Sequence, residues 1–261
     1  MRIATSASSF LTIILILGGF GATSGAAREF RIETDIFVGK QKEPVSETLT
    51  IFSNGVVYDF LLTGCEEITL FDRDRNRLVL IDTERKIQTV LTMDDMVTFV
   101  AKMKAQLADK QGFPASGAGD AVVEDDGWLE LANGRVSYRA KCVKPKEKAT
   151  ALQYQEFADW YARLNAMRGN LPPFLRIHLN SEIAKRGLIP KTIERTIYAQ
   201  GTLTDKKQVV RSRHLTNWRL SKTDQKRIDR AGTYLTTLPT VPFREYIRFP
   251  VAASKNAALE N

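Results

Sequence analysis

The sequence predicts an α+β protein, a strongly curved antiparallel sheet (a half-barrel) packed against about three helices. Three observations carry that prediction. Short strands follow one another at hairpin spacing instead of alternating with helices. The middle strands are apolar on both faces. Three further stretches repeat their apolar residues at helical spacing.

The strands come first. Phe30, Ile32, Thr34, Ile36 and Val38 alternate with Arg31, Glu33, Asp35 and Phe37, the two-residue period of a half-buried strand. Leu49–Phe52 is a second strand, and Asn54-Gly55 turns it back, because both residues tolerate the positive φ of a type I′ turn. Val56–Leu62, Glu66–Phe71, Arg77–Ile81 and Lys86–Leu91 complete a meander, each pair separated by a polar turn. Val56, Tyr58 and Phe60 lie on one side of their strand and Val57 and Leu61 on the other, while Leu78 and Leu80 oppose Val79 and Ile81. A sheet wet on one face alternates cleanly. These strands therefore require cover on both faces, or a sheet curved around an apolar interior.

Thr92 caps a helix with Asp95, and Met96, Val100, Met103 and Leu107 continue it to about Lys110. The Gly-, Ala- and Asp-rich stretch 112–127 reads as a loop. A second hairpin, Trp128–Leu131 with Arg135–Val143, turns at Asn133-Gly134. Ala151–Arg168 places Phe157, Trp160, Tyr161, Leu164 and Met167 on one stripe, with Gly169 as its C-terminal cap. Pro172-Pro173 starts a helix over Phe174–Arg186 that Gly187 ends. Strands resume at Thr192–Ala199 and Val209–Leu220, joined by a polar turn at 201–207. Ser221–Leu235 reads as a short helix, and the chain through Pro239, Pro242 and Pro250 as extended. One domain over 28–250 follows, with a disordered tail at 251–261.

Residues 1–27 have the form of a signal peptide. Arg2 supplies a positive start, Phe10–Leu17 a short apolar run, and Gly25 and Ala27, or Ser24 and Ala26, the small residues before a cleavage site. That run is shorter than the ~20 residues needed to cross a bilayer, so no transmembrane anchor is expected after cleavage. No cysteine lies near the cut, which excludes a bacterial lipoprotein attachment site. Export to the periplasm or the extracellular space is the expectation.

Composition narrows the function classes. The 261 residues are 43% hydrophobic and 26% charged, which excludes collagen-like, low-complexity and disulfide-dense chains. Lys and Arg total 38 against 30 acids, for a formal charge of +8. Outside the cytosol the anions such a surface meets are lipid headgroups, acidic glycans or a partner protein, and nucleic acid is not expected. The densest basic run, Lys141–Lys148, reads as a solvated strand end and loop. Cys65 and Cys142 permit one disulfide in an oxidising compartment, and closing so long a loop would contribute on the order of 4 kcal/mol. Two separate buried thiols are the alternative.

The sequence carries no catalytic motif. The two histidines, His178 and His214, lack metal-ligand spacing, and neither a G-x-S-x-G elbow nor a phosphate-binding lysine loop is present. Asp72, Asp74 and Asn76 begin like a calcium loop but place Arg77 where glycine is required and Thr83 where the bidentate glutamate should stand, so a polar hairpin tip is expected. No catalytic residue, metal or cofactor is assigned. The aromatics Phe37, Phe52, Tyr58, Phe60, Trp160, Tyr161 and Phe174 read as core, or in part as the lining of a ligand cavity between a concave sheet and the helices.

The order of elements, with "LTIFSNGVVYDFLL", "EITLFDRDRNRLVLID" and "KIQTVLT" as successive strands, resembles the exported lipoprotein-carrier superfamily of bacteria over much of the chain. The resemblance is architectural and assigns no family ligand residue to a position in this sequence. It implies an unclosed barrel around helices, with an apolar cavity for acyl chains. The leading expectation is therefore non-catalytic binding of a lipid or acylated protein in a sheet–helix cleft, with Tyr58, Phe60, Leu80, Trp160, Leu164 and Phe174 as candidate lining residues. The alternatives are an interaction module whose basic surface engages an anionic envelope component, and, third, a hydrolase.

Overall fold

A computed structural model describes residues 29–108, 122–123, 127–198 and 207–248. The segments expected to be a signal peptide (1–27) and a disordered tail (251–261), most of the expected 112–127 loop and most of the 201–207 turn lie outside the described residues. The strands are β1 (Phe30–Val38), β2 (Ser46–Ser53), β3 (Val56–Leu61), β4 (Glu67–Asp72), β5 (Arg77–Asp82) and β6 (Ile87–Thr92). After α1 (Met93–Ala108) come the two-residue β7 (Val122–Val123), then β8 (Trp128–Asn133) and β9 (Val136–Val143). The helical pair α2 (Lys148–Met167) and α3 (Phe174–Lys185) leads to β10 (Ile189–Tyr198) and β11 (Lys207–Asn217), and α4 (Lys222–Thr237) and α5 (Phe243–Arg248) follow. The described residues thus form five helices where about three were expected.

The eleven strands of the described residues form one sheet in the order β6-β5-β4-β3-β2-β1-β11-β10-β9-β8-β7. Neighbouring strands pair antiparallel throughout, and β6 does not pair with β7, so the sheet is not closed. The pairing of β1 with β11 joins the two halves of the chain and sets Thr34 opposite His214. At the first hairpin Asn54 and Gly55 have φ of 49° and 77°, the type I′ geometry expected of Asn-Gly. The second hairpin turns one residue later than expected. Asn133 pairs with Val136, so Gly134 and Arg135 form the turn, with Gly134 alone at positive φ. The calcium-like tip is a salt-bridged turn, in which Arg75 and Arg77 both reach the Asp72 carboxylate. Among the described residues no cluster of acids, histidines and cysteines could hold a metal.

Helices cover both faces of the middle strands. On the outer face, α4 presents Ala231, Ile228, Tyr234 and Leu235 to Leu49, Ile51, Phe60, Ile68, Leu70, Val79 and Ile81. Its N-terminus carries a full capping box between Ser221 and Asp224. Arg31 on β1 donates to the fully buried Asp224 at 3.0 Å and ties the helix to the sheet. On the inner face, Phe30, Phe52, Val57, Phe71, Leu78, Leu80 and Leu91 pack with Met96 of α1, Phe157 and Leu164 of α2, and Tyr246 of α5. Thr92 caps α1 as expected, its hydroxyl 3.1 Å from the Asp95 amide. The two-sided apolar character of β3–β5 is accounted for by these two layers.

The segment expected to be extended after α4 does more than connect. Pro239 and Val241 bond Gln88 through the backbone, at 3.0 and 2.8 Å, and cover the exposed edge of β6. The chain then passes to the inner face, where α5 buries Tyr246 beneath Arg85.

Helix α2 crosses the strands instead of following them. Tyr154 meets His214 of β11, Phe157 meets Phe52 of β2, Trp160 meets Phe71 of β4, and Arg168 pairs with Glu67 of β4. From Tyr154 to Arg168 the helix advances about 21 Å at about 1.5 Å per residue. Four strand spacings, from β11 to β4, cover about 19 Å. The helix thus runs from β11 past β2 to β4. Helix α3 covers the other half of the inner face, with Leu175, Leu179 and Ile183 on Leu129, Leu131, Tyr138, Ala140 and Ile193.

Phe52 stacks on Phe30 at 4.1 Å and receives Phe157 edge-on at 5.8 Å. Phe52→Ala is expected to lower the free energy of unfolding by about 3–5 kcal/mol. Leu152→Ala, on an exposed position of α2, should stay within about 0.5 kcal/mol of the parent. Urea unfolding followed by circular dichroism measures both, and equal effects would contradict this placement of the core.

Candidate functional site

Between the inner face and the α2–α3 hairpin lies a cleft of about 320 Å³. Its floor is built from six strands. Ile32, Thr34 and Ile36 of β1 lie beside Thr48 and Thr50 of β2 and Asp59 of β3. On the other side are Val210, Ser212 and His214 of β11, Ile193 and Arg195 of β10, and Tyr138 of β9. The roof is Tyr154, Phe157, Ala158, Tyr161, Ala162 and Asn165 of α2, then residues 170–173 and Arg176 of α3.

The register explains why a cleft forms here. Cross-strand partners on the inner face run Phe30–Phe52–Val57 toward one end of the sheet and Thr34–Thr48–Leu61 toward the other. Rings at the first end fill the space beneath α2. Threonines, Ser212 and the small Ala158 and Ala162 of the roof do not reach across at the second, so the layers stay apart.

The polar groups of the floor are hydrogen-bonded to one another. His214 Nδ1 lies 3.0 Å from Thr34 Oγ1, and Nε2 lies 3.0 Å from Ser212 Oγ. Burial, and then the charge of Arg176, hold the imidazole down at about 3, so it is neutral and bridges the two hydroxyls as one donor and one acceptor. Asp59 accepts from Thr50 Oγ1 at 2.6 Å and also bonds the Tyr161 hydroxyl. Burial outweighs those bonds and pushes its carboxyl up from 3.8 to about 6. Arg176 Nε donates to Asn180 Oδ1 at 3.0 Å, and Asn180 Nδ2 donates to Asp159 Oδ1 at 2.8 Å.

Ser212, His214 and Thr34 are a polar floor and do not form a nucleophilic triad. A threonine hydroxyl stands where an orienting carboxylate would, and an imidazole held near 3 is too weak a base to take a serine proton. His178 lies elsewhere, on α3, 4.0 Å from Glu182.

The residues expected to line a cavity are dispersed. Tyr58 and Phe60 face outward beneath α4. Leu80, Trp160 and Leu164 belong to the packed inner core. Phe174 alone borders a hollow, a smaller one of about 50 Å³ shared with Asn133, Val136, Tyr138, Leu171, Pro172 and Leu175. No disulfide links the cysteines. Cys65, in the turn after β3, and Cys142, on β9, belong to strands five places apart in the sheet, too far for a bridge. Cys65 bonds the Glu84 carboxylate, and burial pushes the Cys142 thiol up to about 11. The cleft residues that sequence reasoning missed carried one faint signal. Arg195 falls in phase with Ile193 and Ile197, so a cation sits in an otherwise apolar alternation.

Among the described residues no helix is long and apolar enough to cross a membrane. No protein-family model matches the chain, and no curated protein matches it in sequence.

Asp59 and His214 drive stability in opposite directions with pH. The raised Asp59 value gives stability that is complete below about pH 4 and lost as pH rises toward 6. The lowered His214 value gives stability that is complete above its ordinary 6.5 and lost as pH falls toward 3. Between pH 4 and 6, Asp59→Asn should therefore gain roughly 2–3 kcal/mol over the parent as pH rises, and His214→Gln should lose a comparable amount. Unfolding titrations at the two pH values read this directly. Variants that track the parent at both would contradict the burial of these groups.

Proposed function

We propose that the protein is an exported, non-catalytic binding protein that shelters an amphipathic ligand, a lipid or the acyl group of a partner, in the cleft beneath the α2–α3 hairpin. In this reading the sheet bends around α2 as an unclosed half-barrel, and residues 1–27 direct export to the bacterial envelope. The observation that carries the reading is the cleft itself, whose floor sets Ile32, Ile36, Ile193 and Val210 among hydrogen-bonded polar groups, with Phe157 in the roof. A volume of about 320 Å³ lies at the small end of the ~300–1,000 Å³ typical of small-molecule sites. That favours a single chain over a multiply acylated anchor.

The apolar two-faced strands do not support this reading, since helices cover both of their sides. The cleft over β1, β2 and β9–β11 supports it instead.

A second reading has one observation of its own. The outer face of β9 and β11 carries Arg139, Lys141, Arg211 and Arg213, with Leu215 60% exposed among them. Such a surface suits an anionic envelope partner, and a salt-sensitive pulldown from envelope extract in the absence of lipid uptake would favour it.

Native mass spectrometry of protein purified under lipid-retaining conditions tests the first reading. A bound mass is expected in the parent and should be lost in Ala162→Phe, whose ring fills the cleft from the roof. A parent with no bound species, and no uptake of a fluorescent amphiphile after delipidation, would overturn it.

A further inference from the structure

Three guanidinium groups near the protein interior are paired with carboxylates. Arg31 meets Asp224 at 3.0 Å, Arg85 meets Asp82 at 2.7 Å, and Arg168 meets Glu67 at 2.7 Å. Burying a cation without an anion is costly, and these pairs avoid that cost. Arg176 departs from the pattern. It is partly buried in the cleft roof and bonds only the neutral Asn180 and Tyr154. Among the described residues no carboxylate oxygen comes within 4.0 Å of its guanidinium. Its Nε is committed to Asn180, and Asn180 is itself fixed by Asp159, so the fork is held in place from behind.

The rest of the lining leaves the cleft electropositive. Arg195 adds a second cation from β10, and Asp59 is the sole carboxylate among the lining residues. Asp59 is already engaged by Thr50 and Tyr161 on the far side of the floor. Two guanidinium groups thus stand against a single carboxylate among the lining residues.

The apolar region points away from it. The small hollow walled by Val136, Phe174 and Leu175 shares Tyr138, Leu171 and Pro172 with the main cleft. Both spaces are bounded by those three residues and so adjoin at the Pro172-Pro173 turn, and the hollow offers an apolar chain a seat toward the β8–β9 hairpin.

We infer that the ligand is a single-chain amphiphile with an oxyanion head, the head bound by Arg176 and the chain running through the hollow beneath the Pro172 turn. This inference rests on the binding reading above and adds the chemical class of the ligand. A carboxylate and a phosphate share the chemistry that a guanidinium fork recognises.

Calorimetric titration of the delipidated full chain tests it with four probes of one chain length: dodecanoate, dodecyl phosphate, dodecanol and dodecyltrimethylammonium. One or both anions should bind at least tenfold more tightly than dodecanol, and the cation should bind weakest. The anion that binds more tightly identifies the head as carboxylate or phosphate. Arg176→Met keeps the apolar stem and should weaken anion binding about tenfold to a hundredfold while leaving dodecanol unchanged. Retained dodecanol binding also reports that the variant is folded, and Arg176→Lys should recover part of the anion affinity. Dodecanol binding as tight as the tighter of the two anions, or an equal loss of both in Arg176→Met, would overturn the oxyanion head and leave the binding reading standing. Absence of binding by all four probes would overturn both.

Discussion

The structure depends on how α2 lies across the strands and on what the side chains beneath it can fill. One end of the contact is closed by rings, with Phe30 stacked on Phe52 and Phe157 set edge-on against them. Toward the other end of the sheet the same strands offer Thr34, Thr48, Thr50 and Ser212. These side chains are too short to meet the helix, and their hydroxyls need partners of their own. A neutral His214 serves Thr34 and Ser212, and a buried Asp59 serves Thr50 while taking the Tyr161 hydroxyl from α2. The helix is held by its aromatic contacts and by the Arg168–Glu67 pair, and a cleft remains beneath its middle.

Other parts of the fold keep that arrangement rigid. Helix α4 seals the outer face of β2–β5 and is fastened to β1 through Arg31 and Asp224. The chain then folds over the β6 edge at Gln88 and buries Tyr246 on the inner face, where its hydroxyl donates to Glu67 at 3.0 Å. Glu67 thereby receives both Arg168 from α2 and Tyr246 from α5, and the C-terminal segment becomes a clasp on the helix that roofs the cleft.

Local features of this fold were legible in the sequence, and long-range ones were not. Alternation located β1 to its end residues, Asn54-Gly55 fixed the first hairpin, and Thr92 with Asp95 marked the start of α1. Five turns of helix in α2 followed from its apolar stripe, although that stripe did not say which strands it would cross. Helix α5 was hidden because it is six residues long and flanked by prolines, which read as extended chain. The cleft was hidden for a different reason. Its floor exists only because β1 pairs with β11, which brings Thr34 to His214 across 180 positions of sequence. Apolar residues on both faces of β3–β5 suggested a hollow there, yet α4 and the inner helices fill both sides. Tyr58 and Phe60 consequently face α4, and Leu80 and Leu164 are core.

The most direct measurement is a crystal structure of the delipidated protein soaked with 12-bromododecanoate. The account predicts an anomalous bromine peak in the hollow by Phe174 and Leu175, and carboxylate density at the Arg176 guanidinium. A cleft closed by Tyr154 and Tyr161 resting on Thr34 and Ser212, with no bromine between the layers, would contradict it.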